Sequence, residues 1–213
     1  MSHPVDTLLS LVMLSILFSL GSSRLPGLIK SLAFQGVVVS VVPLFVGHNM
    51  TGGGLLFTLV TLAIRGIVIP LCIYQAIKRV AIHREVEPII GYHASLLVGL
   101  GLIVGATFAS NKFNLPASSA SALLLPTAIA VLVAGMFLLI ARRNAIAMVL
   151  GYIMMENGIY LVGTTFSVRA LHIVEFGILL DVLAGVMIMA VILQNIRQTF
   201  DDVDTALLRT LKE

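Results

Sequence analysis

The stretch Ala122 to Ala141 reads ALLLPTAIAVLVAGMFLLIA, twenty residues without one charge. At about 1.5 Å of rise per residue, a helix of that length crosses the roughly 30 Å hydrocarbon layer of a bilayer. Arg142-Arg143-Asn144 follows, and a second apolar run, Ala145 to Gly163, begins at once. Two apolar runs joined by a tight basic turn predict a pair of antiparallel membrane helices, because a helix satisfies its own backbone donors and acceptors where no water is available. Outward from this pair, the same criterion finds Pro4 to Ser23, Leu28 to Gly47, Gly54 to Ala76 and Ile89 to Ser110 before it, and Val174 to Ile196 after it. The expected fold is all-α, a polytopic membrane protein with seven transmembrane helices.

Composition agrees. Of the 213 residues 59% are hydrophobic and 11% charged, less than half the charged fraction of about 25% usual in soluble domains. A β-barrel is excluded, since its strands would alternate over about ten residues. The first run carries Asp6 at its head and has no basic segment before it, so it is read as a span and not as a signal peptide. The single cysteine, Cys72, rules out a disulfide framework and a cysteine-held zinc or iron-sulfur site, and within an apolar run its thiol is expected to be buried and inert. The 13 basic residues occur in ones and twos, and a net charge of +3 so distributed builds no stripe for nucleic-acid phosphates. His48, His83, His93 and His172 are too dispersed for a metal or haem site. Gly52-Gly-Gly54 lacks the lysine continuation of a nucleotide loop, and Gly101 and Gly105 have the spacing of a helix-packing face.

The links are too short to hold a second globular unit. The chain divides into a four-helix membrane part (1–120), a three-helix part (121–196) and a tail (197–213) whose Asp201, Asp202, Asp204, Arg209 and Lys212 suit a membrane surface. Placing links on alternate sides puts Arg24, Lys30, Lys78, Arg79, Arg84, Arg142, Arg143, Arg197, Arg209 and Lys212 together, with only Lys112 and Arg169 opposite. Ten against two predicts an outside N-terminus and a cytoplasmic C-terminus.

An ionisable side chain at mid-helix costs roughly 2.5 to 3.5 kcal/mol on the insertion scale, so each one demands a partner, water or a function. Arg65, Glu156, Glu175 and Asp181 stand out, whereas Lys30 and His93 lie nearer helix ends. Arg65 is eleven residues from each end of its run, and Pro70 follows five residues later. At helical rise Glu156 and Asp181 fall roughly 20 and 24 Å from the cytoplasmic side, at similar depth. Gly177, Ala184 and Gly185 share a face with Asp181, which should therefore meet protein; Tyr152, Tyr160 and Gly163 share a face with Glu156, and Asn157 follows it. Two acids and one arginine are the parts of a proton site, in which burial favours the neutral carboxyl and an approaching cation the charged one. They are equally the parts of a fixed ion pair between Arg65 and either acid. His172 and Glu175, three apart near the outer end, are read as an exit group or as a hydrated helix start.

The segment Ala141-Arg-Arg-Asn-Ala-Ile-Ala-Met-Val-Leu-Gly151, continuing through Tyr-Ile-Met-Met to Glu156-Asn157, resembles the second helix of the three-helix K-type subunit of complex I, where a similar turn opens a helix with a buried glutamate. Gly177-Ile-Leu-Leu-Asp181-Val-Leu-Ala-Gly185 resembles that subunit's third helix, with Asp181 in place of a glutamate. That family's first carboxylate would fall at Ile153; Glu156 is three residues further, on nearly the same face. With four preceding helices, Met155-Glu-Asn-Gly158 and Val174-Glu-Phe-Gly-Ile-Leu-Leu-Asp181, the whole chain resembles the hydrogenase-4 component E family, membrane subunits of formate hydrogenlyase. The resemblance implies a non-catalytic subunit of an energy-converting nickel-iron hydrogenase complex in a prokaryotic inner membrane. Antiporter-like and hydrogenase-proximal membrane subunits would be its partners, the cytoplasmic hydrogenase arm an indirect one. The nickel-iron centre and iron-sulfur clusters would lie in those partners and no cofactor in this chain. Glu156 and Asp181 would pass protons, Arg65 would tune them, and Glu175 and His172 would face the outer aqueous side. A structural scaffold with locked ion pairs and a K-like subunit of a multisubunit cation/proton antiporter are the alternative readings.

Overall fold

A computed structural model describes residues 3–46, 52–80, 90–113, 121–166, 185, 187 and 188. Among these the regular elements are helical: α1 (His3–Gly21), α2 (Leu25–Val46), α3 (Gly52–Ala63), a π-helical turn (Ile64–Val68), α4 (Ile69–Val80), α5 (Tyr92–Ser110), α6 (Leu124–Ala141) and α7 (Ala145–Phe166). α3, the π turn and α4 run on as one rod. Six stretches are long and apolar enough to cross a membrane: Pro4–Gly21, Leu25–Val46, Thr58–Gln75, Tyr92–Ser110, Leu124–Ala141 and Ile146–Thr165. They coincide with the first six expected spans; the seventh, Val174 to Ile196, lies outside the described residues apart from 185, 187 and 188.

The helices start where local chemistry allows. Asp6 places a negative charge in the first turn of α1, and Pro26 sits at the second position of α2, where no intrahelical donor is lost. Just before α6, Ser121 accepts from the Leu123 N–H, and its hydroxyl donates to Asp6 Oδ1, tying the start of α1 to the approach to α6. Inside the helices, Ser15, Ser40 and Thr127 return their hydroxyls to the carbonyls of Val12, Gly36 and Leu123, which satisfies these three buried groups.

In lipid the apolar faces gain little by leaving their surroundings, so close packing and interhelical hydrogen bonds hold the bundle. α6 and α7 make the most extensive contact. Small residues permit it: a Cβ on Gly151 would stand 2.7 Å from the Leu139 nitrogen, and one on Gly135 would collide with the Met155 backbone. α1 packs on α2, α5 and α6, while α2 reaches α7, α3, the π turn and α4. Ser19 and Ser31 share a 2.8 Å hydrogen bond between α1 and α2. α5 turns Leu97 and Phe108, each 70% exposed, away from the rest of the chain. Two expectations are corrected. Gly101 and Gly105 are exposed, with nothing within 4 Å of where a Cβ would stand, so they pack no helix among the described residues. Cys72 is exposed, not buried, because the buried face of α4 runs through Ile69 and Ile73 and leaves position 72 outside it.

Candidate functional site

The rod made by α3, the π turn and α4 brings Arg65 into the bundle. Pro70 has no N–H, and the Ile69 N–H reaches back to the Ile64 carbonyl, so the backbone takes one wider turn. The buried positions before and after it are Thr58, Thr61, Arg65, Ile69 and Ile73. The wide turn keeps them on one side of the rod. Arg65 lies seven residues from the start of its candidate span and ten from the end, near the middle of that apolar stretch.

On α2 the neighbouring Gly36 lets this turn come close: a Cβ there would stand 3.2 Å from the Arg65 carbonyl oxygen. The guanidinium then reaches α7. Arg65 Nη2 donates to Glu156 Oε1 at 2.7 Å, and Nη1 donates to Asn157 Oδ1 at 3.0 Å. Both side chains of the ion pair are sealed, with relative exposures of 3% and 2%. The Tyr160 ring, one turn further along α7, lies under the guanidinium with its centroid 4.7 Å from Cζ, close enough for a cation–π contact. Asn157 Nδ2 donates in turn to Gln35 Oε1 on α2 at 3.4 Å. One cation is thus held by a carboxylate, an amide oxygen and an aromatic face, and the amide is tied to a second amide. Tyr152, on the same face of α7, is buried as well.

Of the expected site residues, the structure brings Arg65 and Glu156 together. It thereby selects Glu156, among the described residues, as an acid that meets Arg65. Asp181, Glu175 and His172 lie outside the described residues. Among the described residues no three His, Cys, Asp or Glu side chains gather as a metal site.

Two residues escaped the sequence reading. Gln35 is fully buried in α2; its sequence signal was a lone amide inside an apolar run. Arg142 looked like an ordinary turn residue beside Arg143, yet only 2% of it is exposed. Its Nη2 donates to the Leu20 carbonyl at 2.9 Å, and its Cζ lies 5.0 Å from the centre of the Tyr92 ring. It therefore clamps the end of α1 and the start of α5 to the end of α6. Burial pushes the Arg142 guanidinium below its ordinary value, while the adjacent Tyr92 acts in the opposite sense.

The chain aligns with the Escherichia coli K12 protein named hydrogenase-4 component E at 24% identity, over 98% of this chain and 97% of that one. It also aligns with an uncharacterized Mycobacterium tuberculosis protein, Rv0085, at 31% identity over 89% of this chain and 87% of the relative. The chain belongs to the hydrogenase-4 component E family. The Shigella flexneri member is likewise 24% identical over 98% of this chain. No family model and no solved structure matches the chain. Full-length alignment with component E means that the kinship includes α1 to α5 as well as the α6–α7 pair.

Proposed function

We propose that this chain is a non-catalytic membrane subunit of a formate hydrogenlyase or related energy-converting hydrogenase complex, and that it passes protons through buried carboxylates as the complex turns over. The observation that carries the reading is the Arg65–Glu156 contact. A carboxylate at mid-span beside a cation is the smallest unit that can hold or yield a proton as the local field changes. The setting comes from kinship with proteins named hydrogenase-4 component E along nearly their whole length.

In this reading α6, α7 and a further helix through Val174 to Ile196 form the K-like unit, and the N-terminus lies outside, in the sense given by the basic links. Asp181 is the next proton group after Glu156, with His172 and Glu175 toward the outer face. Antiporter-like and hydrogenase-proximal subunits flank the chain in a prokaryotic inner membrane, and the nickel-iron and iron-sulfur centres reside in partner chains.

The test replaces Glu156 with Gln in the intact complex, with Asp181→Asn as companion, and follows hydrogenase turnover together with proton movement in sealed vesicles. Assembly and turnover with collapsed proton movement is the expected result. Unchanged coupling in an assembled Glu156→Gln complex refutes the role of Glu156. The tight 2.7 Å contact also favours a second reading, a scaffold cemented by a fixed ion pair; that reading takes over if the variant complex falls apart.

A further inference from the structure

The cation of the site is held largely by neutral groups, and their polarity is directional. Arg65 carries only donors, so Asn157 must present its oxygen to Nη1. Its amide nitrogen then points at α2, where Gln35 Oε1 accepts it. Were the Asn157 amide reversed, its NH2 would face the guanidinium and its oxygen would face another oxygen. Gln35 therefore reinforces the orientation that turns an acceptor toward Arg65. Gln35 is fully buried and, among the described residues, its own Nε2 has no hydrogen-bond partner, so Oε1 is the polar atom by which it engages the network there.

This matters when Glu156 is neutral. Protonation removes the charge from the bond to Nη2, and a guanidinium with no other support would then be an isolated ion in a low-dielectric interior. Asn157 Oδ1 and the Tyr160 ring remain as seats, and the first of these depends on Gln35. We propose that Gln35 is a positioning residue for proton uptake at Glu156: acting through Asn157, it holds Arg65 in place on neutral groups so that the carboxylate is free to change charge. The inference rests on the reading that Glu156 takes up protons. Among the described residues, the ionisable groups facing it are Arg65 from the π turn and Tyr152 and Tyr160 from α7. α6 contributes none, and α2 contributes only the exposed Lys30, five residues before Gln35.

The probe is dicyclohexylcarbodiimide, an apolar reagent whose C=N bond takes up the O–H of a protonated buried carboxyl to leave a stable acylurea. Labelling of Glu156 is followed by mass spectrometry in native membranes holding the full complex, from pH 5 to 9. Gln35→Met removes the acceptor at nearly constant shape. Without it, the Asn157 seat weakens and Arg65 leans more heavily on the carboxylate, so labelling of Glu156 at neutral pH should slow about tenfold, the equivalent of about 1.4 kcal/mol. Asn157→Asp supplies the rescue, because a carboxylate presents an oxygen to Arg65 whichever way it is turned. In that background Gln35→Met should change the labelling less than twofold. If Gln35→Met labels like the parent chain, or if the two substitutions act independently, the proposal is overturned. Should the Met variant fail to accumulate, Gln35→Asn withdraws the oxygen by one methylene and carries the same expectation. Labelling reads the seat of Arg65 and vesicle coupling reads the function, so either can fail without the other.

Discussion

Removing the charge of Arg65 should be far more harmful than removing both charges of its pair. In Arg65→Met, Glu156 stays behind at 1% exposure without its cation, and Asn157 Oδ1 loses the donor that held it at 3.0 Å. Breaking a buried pair from one side costs about 3 to 5 kcal/mol. Glu156→Gln should cost less, roughly 1 to 2 kcal/mol, because a glutamine oxygen still accepts from Nη2 at a neutral hydrogen bond's strength. In the double variant Arg65→Met/Glu156→Gln neither ion remains, and its loss should be smaller than that of Arg65→Met alone. At about 2 to 4 °C per kcal/mol for a chain of this size, Arg65→Met should unfold at least about 6 °C below the parent, with the double variant recovering half or more of that gap. The assay is the midpoint of heat-induced loss of the monodisperse, detergent-solubilised protein in the four forms of the cycle. Additive effects of the two substitutions would mean that Arg65 and Glu156 are not coupled and would refute the ion pair as the centre of the site.

Two further outcomes follow from the packing. Gly135→Val should prevent the α6–α7 pair from closing, because its Cβ meets the Met155 backbone, whereas Gly101→Ala, in open space, should leave the yield and melting of the purified chain unchanged. Arg142→Met should lower stability by about 1.5 to 3 kcal/mol through loss of the charged bond to the Leu20 carbonyl; Arg143→Met, on an exposed neighbour, should stay within about 0.5 kcal/mol, both read by the same thermal assay.

The helices were legible because in a membrane the backbone leaves few choices: an uncharged run such as Ala122 to Ala141 has no other stable form at that length. Arg65 and Glu156 were legible for the related reason that an ion in hydrocarbon needs an answer. Which acid answers Arg65 was not legible, since depth along a helix fixes one coordinate and the crossing of α2, the π turn and α7 fixes the others. Gln35 and Arg142 show the same limit. An amide in an apolar run is equally compatible with a core position and with a site, and an arginine in a basic turn gives no sign that its neighbours will close over it. Cys72 and Gly101 failed in the opposite direction, because an apolar sequence context in a membrane protein does not distinguish lipid from protein as the neighbour.

The bond between Arg65 and Glu156 spans 91 positions of chain, and that separation bears on biogenesis. At roughly 5 to 20 residues per second, about 5 to 18 s elapse between synthesis of the arginine and synthesis of its partner. For that interval the third helix must enter the bilayer with an unanswered cation, at a cost of roughly 2.5 to 3.5 kcal/mol that its own apolar residues have to outweigh. The early helices can be inserted in order, but their final arrangement waits for α7. A ribosome stalled before residue 156 leaves Arg65 without the carboxylate that it meets in the folded chain.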